Sequence, residues 1–393
     1  MTINRFEDLA HKLGRTVPAG ERPTVCVQGL GFVGAAMSAA VAMARDAEGK
    51  PVYNVIGVDL PNEAGDAKVE AINAGRFPAA TSDMKLVEAI KQAHDTGNLL
   101  ATTNAEVFSI ADIVVVDIHL DIPYLDDEPR LEMGPFSAAL RSVAQRARPG
   151  ALIVVETTVP PGTCEKVVVP VVREELAARG LPEDALLIAH SYERVMPGDE
   201  YLDSIINYWR VFAGHTPEAG DACEAFLTNV INTGDYPLTR LSSTTASETA
   251  KVMENTYRAV NIAFIQEWTR YAEAVGIDLF EVVGAIRKRP THQNIRQPGL
   301  GVGGYCLTKD PTFAPAAVSQ LFGLDPIEFP FSGMAVRTNH EMPRHSVARL
   351  RQVLGDDLHG KRVLMLGVSY RQDVGDTRYS PSEILYRALV DAG

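Results

Sequence analysis

The stretch Thr24-Val25-Cys26-Val27-Gln28-Gly29-Leu30-Gly31-Phe32-Val33-Gly34 decides the fold of this chain. A buried-strand pattern runs straight into G-x-G-x-x-G, and the strong helix former of residues 35–44 follows. In this setting the first glycine makes the turn, the second lets a pyrophosphate approach, and the third lets helix and strand pack closely. The helix N-terminus then faces the negative charge of the phosphates. The sequence therefore predicts a dinucleotide-binding unit whose cofactor loop comprises Gly29, Gly31, Phe32, Val33 and Gly34.

A second strand pattern, residues 55–58, ends in Asp59. An acid at this position can bind both ribose hydroxyls of NAD and would repel the 2′-phosphate of NADP. A plain helix-capping turn is the alternative explanation of the glycines, but it accounts for neither the flanking elements nor the terminal acid. We therefore predict NAD as the cofactor.

Strand and helix patterns alternate up to residue 214. Helices are predicted at 65–75, 83–95 and 133–147, and buried strands at 113–117, 151–155, 186–189 and 211–214. This alternation is typical of a doubly wound α/β sheet of Rossmann type. Thr157 and Thr158 follow one of the strands, at the edge where ligands bind, although threonines before prolines also form simple turns.

Beyond residue 216 the pattern is mainly helical. Helices are predicted at 217–232, 242–275, 312–321, 333–354 and 381–392, and a buried strand at 362–368. The helix at 242–275 is apolar on several faces, which predicts a domain core and a dimer interface. One strand and one helix cannot close an α/β domain. We therefore predict an NAD-binding Rossmann domain (1–215), a central helical dimerisation domain (216–330), and a linker helix with the start of an apparently truncated nucleotide-binding domain (331–393).

A glycine-rich stretch, residues 299–304, precedes Cys306, and Lys309-Asp310 follow it. Glycines let a backbone approach a ligand closely, and a cysteine near a lysine can act as a nucleophile. By itself, the stretch is more typical of a tight turn around a buried thiol, and only the rest of the chain shifts the balance towards a nucleophile. The sequence thus makes Cys306 a candidate nucleophile.

Lys251 and Asn255 are four residues apart on the long predicted helix and so share one face. A lysine on a mostly buried helix needs a partner or a ligand. The alternative is a surface ion pair with Glu248 or Glu254, and spacing alone does not decide between the two.

Composition sets bounds on function. The formal net charge of −13 argues against a nucleic-acid binder. The four cysteines lie far apart, which fits thiols in a reducing cytoplasm better than a zinc site or a disulfide framework. No uninterrupted apolar run is long enough to span a bilayer. His119, His190 and His292 lack the spacing of metal ligands, so no metal is expected.

Several segments together resemble one family, the UDP-glucose/GDP-mannose dehydrogenases, which are nucleotide-sugar 6-dehydrogenases. The resemblance runs from Val25 to the end of the chain. The matching stretches are Gly29–Gly34, Glu156–Thr163, Glu193–Gly198, Ala250-Lys251 with Asn255, Gly301–Pro311 and Asp373–Pro381. Because they occur in the family's order, the match is specific.

The resemblance implies an NAD-dependent, two-step oxidation of the C6 hydroxyl of a UDP-sugar to a uronic acid. Cys306 corresponds to the nucleophile that captures the aldehyde as a thiohemiacetal, which the second oxidation converts into a thioester. Lys251 and Asn255 would stabilise oxyanions or hold water, and Asp310 would position that water and assist proton transfer. A UDP-sugar and a second copy of the chain are the implied partners.

The resemblance also assigns ligand contacts. Glu193 is similar to the family's water-activating glutamate, and Thr158 to its threonine near both water and nicotinamide. Lys309 and Arg378 are further expected cofactor contacts. The expected substrate contacts are Glu193, Arg194, Val195, Lys251, Asn255, Gly301, Gly303 and Arg371. Arg371 stands where the family usually has a lysine, and the two side chains are not equivalent at a phosphate.

Three positions depart from the family pattern. Tyr192 replaces the usual proline before the glutamate, and Asp117-Ile118-His119 replaces a Thr-Pro segment near the cofactor. His292 stands where a neighbouring subunit often supplies an arginine, and a histidine cannot form a bidentate pair.

Two branches of the family remain open for the substrate. The stretches Glu193–Gly198 and Pro298-Gly299 resemble the branch acting on UDP-N-acetylhexosamines, namely UDP-N-acetylmannosamine or UDP-N-acetylglucosamine. Lys309-Asp310 resembles the UDP-glucose branch. The balance favours an N-acetylated UDP-hexosamine.

Two other functions compete with this one. A single-step β-hydroxyacid-type dehydrogenase shares the NAD domain and a helical second domain, but it uses a lysine as acid and base and needs no cysteine. A non-catalytic, truncated homologue that binds NAD or a nucleotide sugar is the second competitor.

Overall fold

The structure, a computed structural model, describes residues 3–18, 20–125, 128–195, 198–372, 374–375 and 377–393. The chain divides into two compact units, Met1–Thr249 and Ala250–Gly393. The first unit is built on a large sheet with helices, and the second is helical. The α/β class predicted from the alternating pattern is confirmed.

The strands are β1 (Thr24–Gln28), β2 (Asn54–Val58), β3 (Leu99–Thr102), β4 (Ile113–Val116), β5 (Tyr124–Leu125), β6 (Glu128–Pro129), β7 (Leu152–Val155), β8 (Leu187–Tyr192), β9 (Val211–Gly214) and β10 (Thr239–Arg240). Eight of them form one sheet in the order β10-β9-β8-β7-β4-β1-β2-β3. Neighbours are parallel except β8 and β9. The chain winds outward in both directions from β1, with β2 on one side and β4 on the other. Open α/β sheets bind ligands at this reversal.

The helices of the first unit are α1 (Phe6–Lys12), α2 (Phe32–Ala42), α3 (Glu63–Asn73), α4 (Met84–Thr96), α5 (Gly134–Ala144), α6 (Val169–Ala178), α7 (Tyr201–Ile206) and α8 (Pro217–Val230). Polar side chains cap several of them, since Asn62 accepts from the Gly65 amide and Thr216 from the Ala219 amide. Every residue of β1 and β2 is buried, as expected for strands covered on both faces.

The second unit comprises α10 (Leu279–Ile286), α11 (Phe313–Gln320), α12 (Pro330–Leu354), α13 (Pro381–Asp391) and most of α9 (Thr244–Val275). Small side chains let α9 and α12 approach, since Ala259 and Ala263 pack against Ala335. A second small cluster joins α9 to α10 through Ile265, Ala272, Leu279 and Val283. The long helix predicted at 242–275 is therefore present, beginning at Thr244.

The strand predicted at residues 362–368 is wrong. This segment joins no sheet, and Leu364 and Leu366 are exposed. A strand needs a neighbour that takes up its backbone hydrogen bonds, and the described part of the second unit contains no strand. A buried-strand pattern alone therefore does not create a strand.

Smaller differences concern the first unit. Strands β3, β5, β6 and β10 were not predicted, and α2 begins at Phe32 rather than at residue 35. All four missed strands are short, and the pairing partners of β3 and β10 are distant in sequence. Among the described residues, no helix combines the length and the apolar character that a bilayer crossing requires.

Candidate active site

The cofactor loop has room for a pyrophosphate at its centre. Gly29 has a φ of +96°, and a Cβ there would lie 2.3 Å from the Asp117 carbonyl oxygen. A Cβ at Gly34 would lie 1.9 Å from the carbonyl oxygen of Gly29, so neither position accepts a side chain. At Gly31 the nearest described atom outside the neighbouring residues is Nε2 of His119, which lies 3.9 Å from the added Cβ. Because α2 begins directly after Gly31, its first amide groups are available to phosphate oxygens.

Asp59 lies at the end of β2, beside this loop. Its Oδ2 accepts a hydrogen bond from the Leu30 amide at 2.8 Å, and its Oδ1 accepts one from the Leu60 amide at 2.8 Å. Lys68 on α3 forms an ion pair with Asp59 Oδ2 at 3.0 Å. The carboxylate is thus fixed next to the glycines, where the ribose of a dinucleotide would lie. The glycine loop and Asp59 together fit NAD.

The two threonines after β7 differ in what they contact. Thr157 Oγ1 accepts from the Ile118 amide at 3.0 Å and lies 3.1 Å from the carbonyl oxygen of Val116, so it joins the ends of β4 and β7. This contact between two strand ends differs from the simple turn that the sequence offered as the alternative. Thr158 is half-buried at the carboxyl edge of the sheet and remains the predicted cofactor contact.

Glu193 follows β8 at the same edge of the sheet. It is buried, and its Oε2 accepts from the Val195 amide at 2.6 Å. Arg194 donates to the carbonyl oxygen of Trp209 at 2.8 Å, and its guanidinium lies 5.3 Å from the ring centre of Tyr192. The Tyr192 side chain that replaces the usual proline is buried and packs in the first unit.

In the second unit, Cys306 begins a tight turn. Its carbonyl oxygen accepts from the amides of Lys309 at 3.2 Å and Asp310 at 2.9 Å. The turn runs into a 3₁₀ helix, Asp310–Thr312, and then into α11. Cys306 is reduced and exposed, whereas the other three cysteines of the chain are buried. The alternative of a turn around a buried thiol is therefore wrong.

A buried polar cluster lies next to this turn. Asn255 Nδ2 donates to Asp310 Oδ2 at 2.7 Å, and Lys309 Nζ lies 2.8 Å from Asp310 Oδ1. The Lys309 ammonium also lies 4.4 Å from the ring centre of Tyr305 and 4.3 Å from that of Phe313. Both oxygens of the Asp310 carboxylate are thus held, one by α9 and one by its chain neighbour.

Lys251 lies one turn before Asn255 on α9, and both side chains are buried. A surface ion pair of Lys251 with Glu248 is excluded because both residues are buried. The shared face predicted from their spacing is therefore an inward face of the helix.

The glycines before Cys306 are packed against the segment before α13. A Cβ at Gly303 would lie 2.6 Å from both Tyr370 Cβ and the Tyr379 carbonyl oxygen, and Gly301 has a φ of +124°. The Gly304 amide donates to the carbonyl oxygen of Arg378 at 3.0 Å. These contacts supply a packing reason for the glycines, in addition to their predicted role in substrate binding.

The two arginines expected to contact ligands differ in exposure. Arg371 is exposed, whereas Arg378 is half-buried. The Arg378 guanidinium lies 5.4 Å from the ring centre of Tyr305, the residue that immediately precedes Cys306. The motif residues that lie outside the described part of the chain are Met196, Pro197, Asp373 and Asp376.

Glu248, which the sequence suggested only as a surface partner, is fully buried at the start of α9. Its Oε2 accepts from the Gly162 amide at 2.6 Å, and its Oε1 accepts from the Cys164 amide at 2.7 Å. Burial raises the pKa of Glu248 to about 7. The side chain thereby anchors the loop that follows Thr158. Its position three residues before Lys251, on a buried helix face, was the available signal.

Asn339 on α12 was also missed. Its Oδ1 accepts from the Val302 amide at 2.8 Å, and its Nδ2 donates to the Val302 carbonyl at 2.7 Å. This pair of bonds fixes the glycine-rich stretch from a residue 37 positions away. An asparagine inside a predicted helix carries no sequence signal for such a contact.

Two of the histidines singled out in the sequence lie beside hydroxyl groups. Among the described residues, no group of three or more histidine, cysteine, aspartate or glutamate side chains could hold a metal ion. His190 is buried with Nδ1 2.8 Å from Ser247 Oγ, and His292 is exposed with Nδ1 2.8 Å from Thr291 Oγ1. Each of these two histidines thus has a side-chain hydroxyl as a hydrogen-bonding neighbour.

Comparison with known proteins adds two family-model matches. Residues 23–231 match the NAD binding domain of the UDP-glucose/GDP-mannose dehydrogenase family, and residues 245–339 match the central domain of the same family. The first match alone covers more than half of the chain, and together the two contain the glycine loop, Lys251 and Cys306.

Individual proteins show the same similarity. The chain is 29% identical to a UDP-N-acetyl-D-mannosamine dehydrogenase of Methanocaldococcus jannaschii, over 94% of this chain and 77% of that protein. It is 30% identical to a UDP-N-acetyl-D-mannosamine dehydrogenase of Pyrococcus horikoshii, over 91% of this chain and 78% of the relative. A solved UDP-glucose dehydrogenase of Pyrobaculum islandicum superimposes with a TM-score of 0.80 at 27% identity, over 96% and 82% of the two chains.

Proposed function

The chain belongs to the UDP-glucose/GDP-mannose dehydrogenase family and uses NAD, and from that premise we propose that it oxidises C6 of a UDP-linked N-acetylhexosamine to a carboxylate. The observation that carries the proposal is the exposed thiol of Cys306, on a turn whose Asp310 is held by Asn255. A single-step dehydrogenase has no use for such a thiol. Two successive oxidations with one covalent intermediate do use it.

The proposed chemistry needs a dinucleotide site and a nucleophile. The glycine loop and Asp59 would hold the dinucleotide, which accepts a hydride when bound. Loss of a first hydride from C6 of the alcohol gives the aldehyde. Cys306 Sγ then adds to C6 of the aldehyde, and loss of a second hydride from that carbon leaves a thioester. Water then attacks the thioester, releasing the carboxylate and restoring the thiol. In sum, the alcohol, one water and two NAD⁺ become the carboxylate, two NADH and three protons.

The remaining predicted residues stabilise developing charge, position the attacking water or contact the cofactor. Lys251, one turn from Asn255, supplies an ammonium that stabilises the oxyanion formed when sulfur or water adds to C6. Asp310 accepts hydrogen bonds from Asn255 and Lys309, so its carboxylate is fixed in position to orient the attacking water. Thr158 and Glu193 are the proposed contributions of the first unit, to the cofactor and to water activation.

The preference for an N-acetylated sugar rests on the relatives named as UDP-N-acetyl-D-mannosamine dehydrogenases and on the Glu193–Gly198 stretch. UDP-glucose is the competing substrate, supported by Lys309-Asp310 and by the Pyrobaculum islandicum structure. Arg194, Val195, Gly301, Gly303 and Arg371 are the further proposed contacts. A reducing cytoplasm, where thiols persist, suits the exposed Cys306.

The proposed assembly is a homodimer through α9. Phe264, Trp268, Tyr271 and Val275 follow each other at three- and four-residue spacing on this helix, and all four are exposed. A contiguous exposed aromatic stripe of this kind is typical of a protein interface.

The test is NADH formation with a panel of UDP-sugars, together with mass spectrometry of the product. The proposal expects two NADH per sugar and a uronic acid from UDP-N-acetylmannosamine or UDP-N-acetylglucosamine. Oxidation of UDP-glucose alone would move the chain to the other branch. One NADH per sugar, with an aldehyde as the end product, would contradict the two-step chemistry.

A further inference from the structure

A buried charged cluster lies at the carboxyl edge of the sheet in the first unit. Val116 of β4 pairs with Val155 of β7, so the next residues, Asp117 and Glu156, are neighbours across the two parallel strands. Arg210, directly before β9, forms an ion pair with Glu156, and these two side chains are 3% and 2% exposed. Two acids and one base thus meet where water has little access.

The hydrogen bonds of the cluster are incomplete, since two carboxyl oxygens lack a donor and the Nε of Arg210 lacks an acceptor among the described residues. Asp117 Oδ2 and Glu156 Oε2 are both inaccessible to solvent, and neither accepts a hydrogen bond from the described residues. If both acids were ionised, the cluster with Arg210 would carry one net negative charge and two unsatisfied oxygens. One proton placed between the two carboxyl groups removes both defects, as in other acid pairs that share a site.

The electrostatic surroundings agree. Burial, followed by the charge of Glu156, raises the pKa of Asp117 well above its usual range. Glu193, after β8, acts in the same direction, and Arg210 opposes it. The thiol of Cys223 on α8, which lies near Arg210 and Glu156, stays neutral because burial raises its pKa to about 12. Burial and the neighbouring acids therefore favour the protonated form of Asp117, and the charge of Arg210 acts against it.

Asp117 also forms a wall of the cofactor loop. A Cβ on Gly34 would lie 3.1 Å from Asp117 Cβ, and one on Gly29 would lie 2.3 Å from the Asp117 carbonyl oxygen. The same loop is the surface that fits the pyrophosphate of NAD. An ionised carboxylate at this position would repel the phosphates through a medium that screens charge poorly.

We propose that Asp117 and Glu156 hold one proton between them and that this shared proton keeps the wall of the cofactor loop uncharged, which makes the pair a determinant of NAD affinity. The inference rests on the assignment of NAD to the glycine loop. It concerns Asp117, one of the positions at which the sequence departs from the family pattern. When the proton leaves at high pH, the cofactor binds more weakly.

Two isosteric variants separate this idea from a general loss of structure. In Asp117→Asn the amide donates to Glu156 and the wall stays neutral at every pH. In Glu156→Gln the amide donates to Asp117, which then remains ionised. The two changes are alike in size, yet Glu156→Gln leaves a negative charge on the wall of the loop and Asp117→Asn leaves none. Asp112→Asn, at the other end of β4, is the control, since its carboxylate accepts from the Thr24 amide and faces no glycine.

The measurement is the dissociation constant of NADH, from its fluorescence, between about pH 6 and about pH 9, a range that brackets deprotonation of a raised carboxyl pKa. Wild type and Asp112→Asn should bind more weakly as the pH rises. Asp117→Asn should bind with little dependence on pH, and Glu156→Gln should bind about tenfold more weakly than Asp117→Asn at neutral pH. Near-ultraviolet circular dichroism of each apoprotein checks the fold.

Two results would overturn the inference. One is an Asp117→Asn variant with the pH profile of wild type, which decides the matter even if Glu156→Gln does not fold. The other is equal affinity of the two folded variants. Failure of the wild type to bind NADH at any pH would instead remove the cofactor assignment itself, and the inference with it.

Discussion

Asn255 on α9 donates a hydrogen bond to Asp310 four residues after Cys306, with 2.7 Å between Nδ2 and Oδ2. The bond links positions that are 55 residues apart in the sequence. Because Lys309 forms an ion pair with the other carboxylate oxygen, the Asp310 side chain has a fixed orientation. The turn that presents the Cys306 thiol is therefore held from the long helix.

Removing the amide of Asn255 should destabilise this turn. Asn255→Ala leaves Asp310 Oδ2 buried without its donor, which costs about 1–3 kcal/mol. We expect a lower melting temperature and a lower rate of turnover. Arg258→Ala, at an exposed position of the same helix, should change stability by less than about 0.5 kcal/mol. Equal melting temperatures for Asn255→Ala and wild type would show that the hydrogen bond does not contribute to the stability of the folded protein.

Cys306→Ser should abolish formation of the acid. A serine hydroxyl does not supply the sulfur on which the thioester forms, so uronic acid production should fall by at least about a thousandfold. Product analysis by mass spectrometry and NADH yield per sugar provide the measurement. The control is Cys223→Ala, a buried cysteine of the first unit, which should still give two NADH per sugar. A Cys306→Ser protein with wild-type turnover would favour the single-step alternative.

Asp59→Asn should change the choice of dinucleotide. The asparagine oxygen can still accept from the Leu30 amide, but the charge that excludes a 2′-phosphate is lost. NADH should bind about ten- to a hundredfold more weakly, and the preference for NADH over NADPH should shrink. Asp66→Asn on α3, which is exposed, should leave both affinities unchanged. An unaltered ratio of the two affinities would argue against a ribose contact.

Glu248 should make stability depend on pH. Its pKa is raised from 4.5 to about 7 by burial, so the folded protein holds this proton more tightly than the unfolded chain. The resulting stabilisation is complete below about pH 4.5 and is lost as the pH rises through about 7, an effect of up to about 3 kcal/mol. Glu248→Gln should flatten this part of the curve, measured by urea unfolding at a series of pH values. In Glu267→Gln, an exposed change on α9, the slope should persist.

Trp268→Glu should dissociate the proposed dimer. The substitution places a charge in the middle of the exposed aromatic stripe formed by Phe264, Trp268, Tyr271 and Val275. Sedimentation of wild type should show a dimer and that of the variant a monomer. Met84→Glu, which alters an exposed apolar residue of the first unit, serves as the comparison. A wild-type monomer at all concentrations would remove the dimer from the proposal.

The sequence predicts well those features that depend on near neighbours. The strand, glycines and helix of residues 24–42 form one local unit, and Asp59 is recognisable because it ends the next strand. Lys251 and Asn255 share a face because four residues make about one helical turn. In each case the physical constraint acts within a few residues, so it is visible in the order of amino acids.

Features that depend on distant partners were missed or mistaken. The anchoring of Gly162 by Glu248 spans 86 residues, and the meeting of Asp117 with Glu156 follows only from the pairing of β4 with β7. An acid at a strand end has the same local pattern whether it faces water or another acid. The strand predicted at 362–368 is wrong for the opposite reason. Its apolar pattern is visible locally, but a strand also needs neighbouring strands, which a local pattern does not reveal.

The exposed segment at residues 362–368 has a consequence for how the protein behaves at high concentration. Leu366 is 89% exposed and Leu364 is 82% exposed, in a short apolar stretch. Exposed apolar segments favour aggregation, and a lysine placed among them acts as a gatekeeper residue. We therefore expect the colloidal stability of this chain to depend on this short segment, and Leu366→Lys should keep it dispersed.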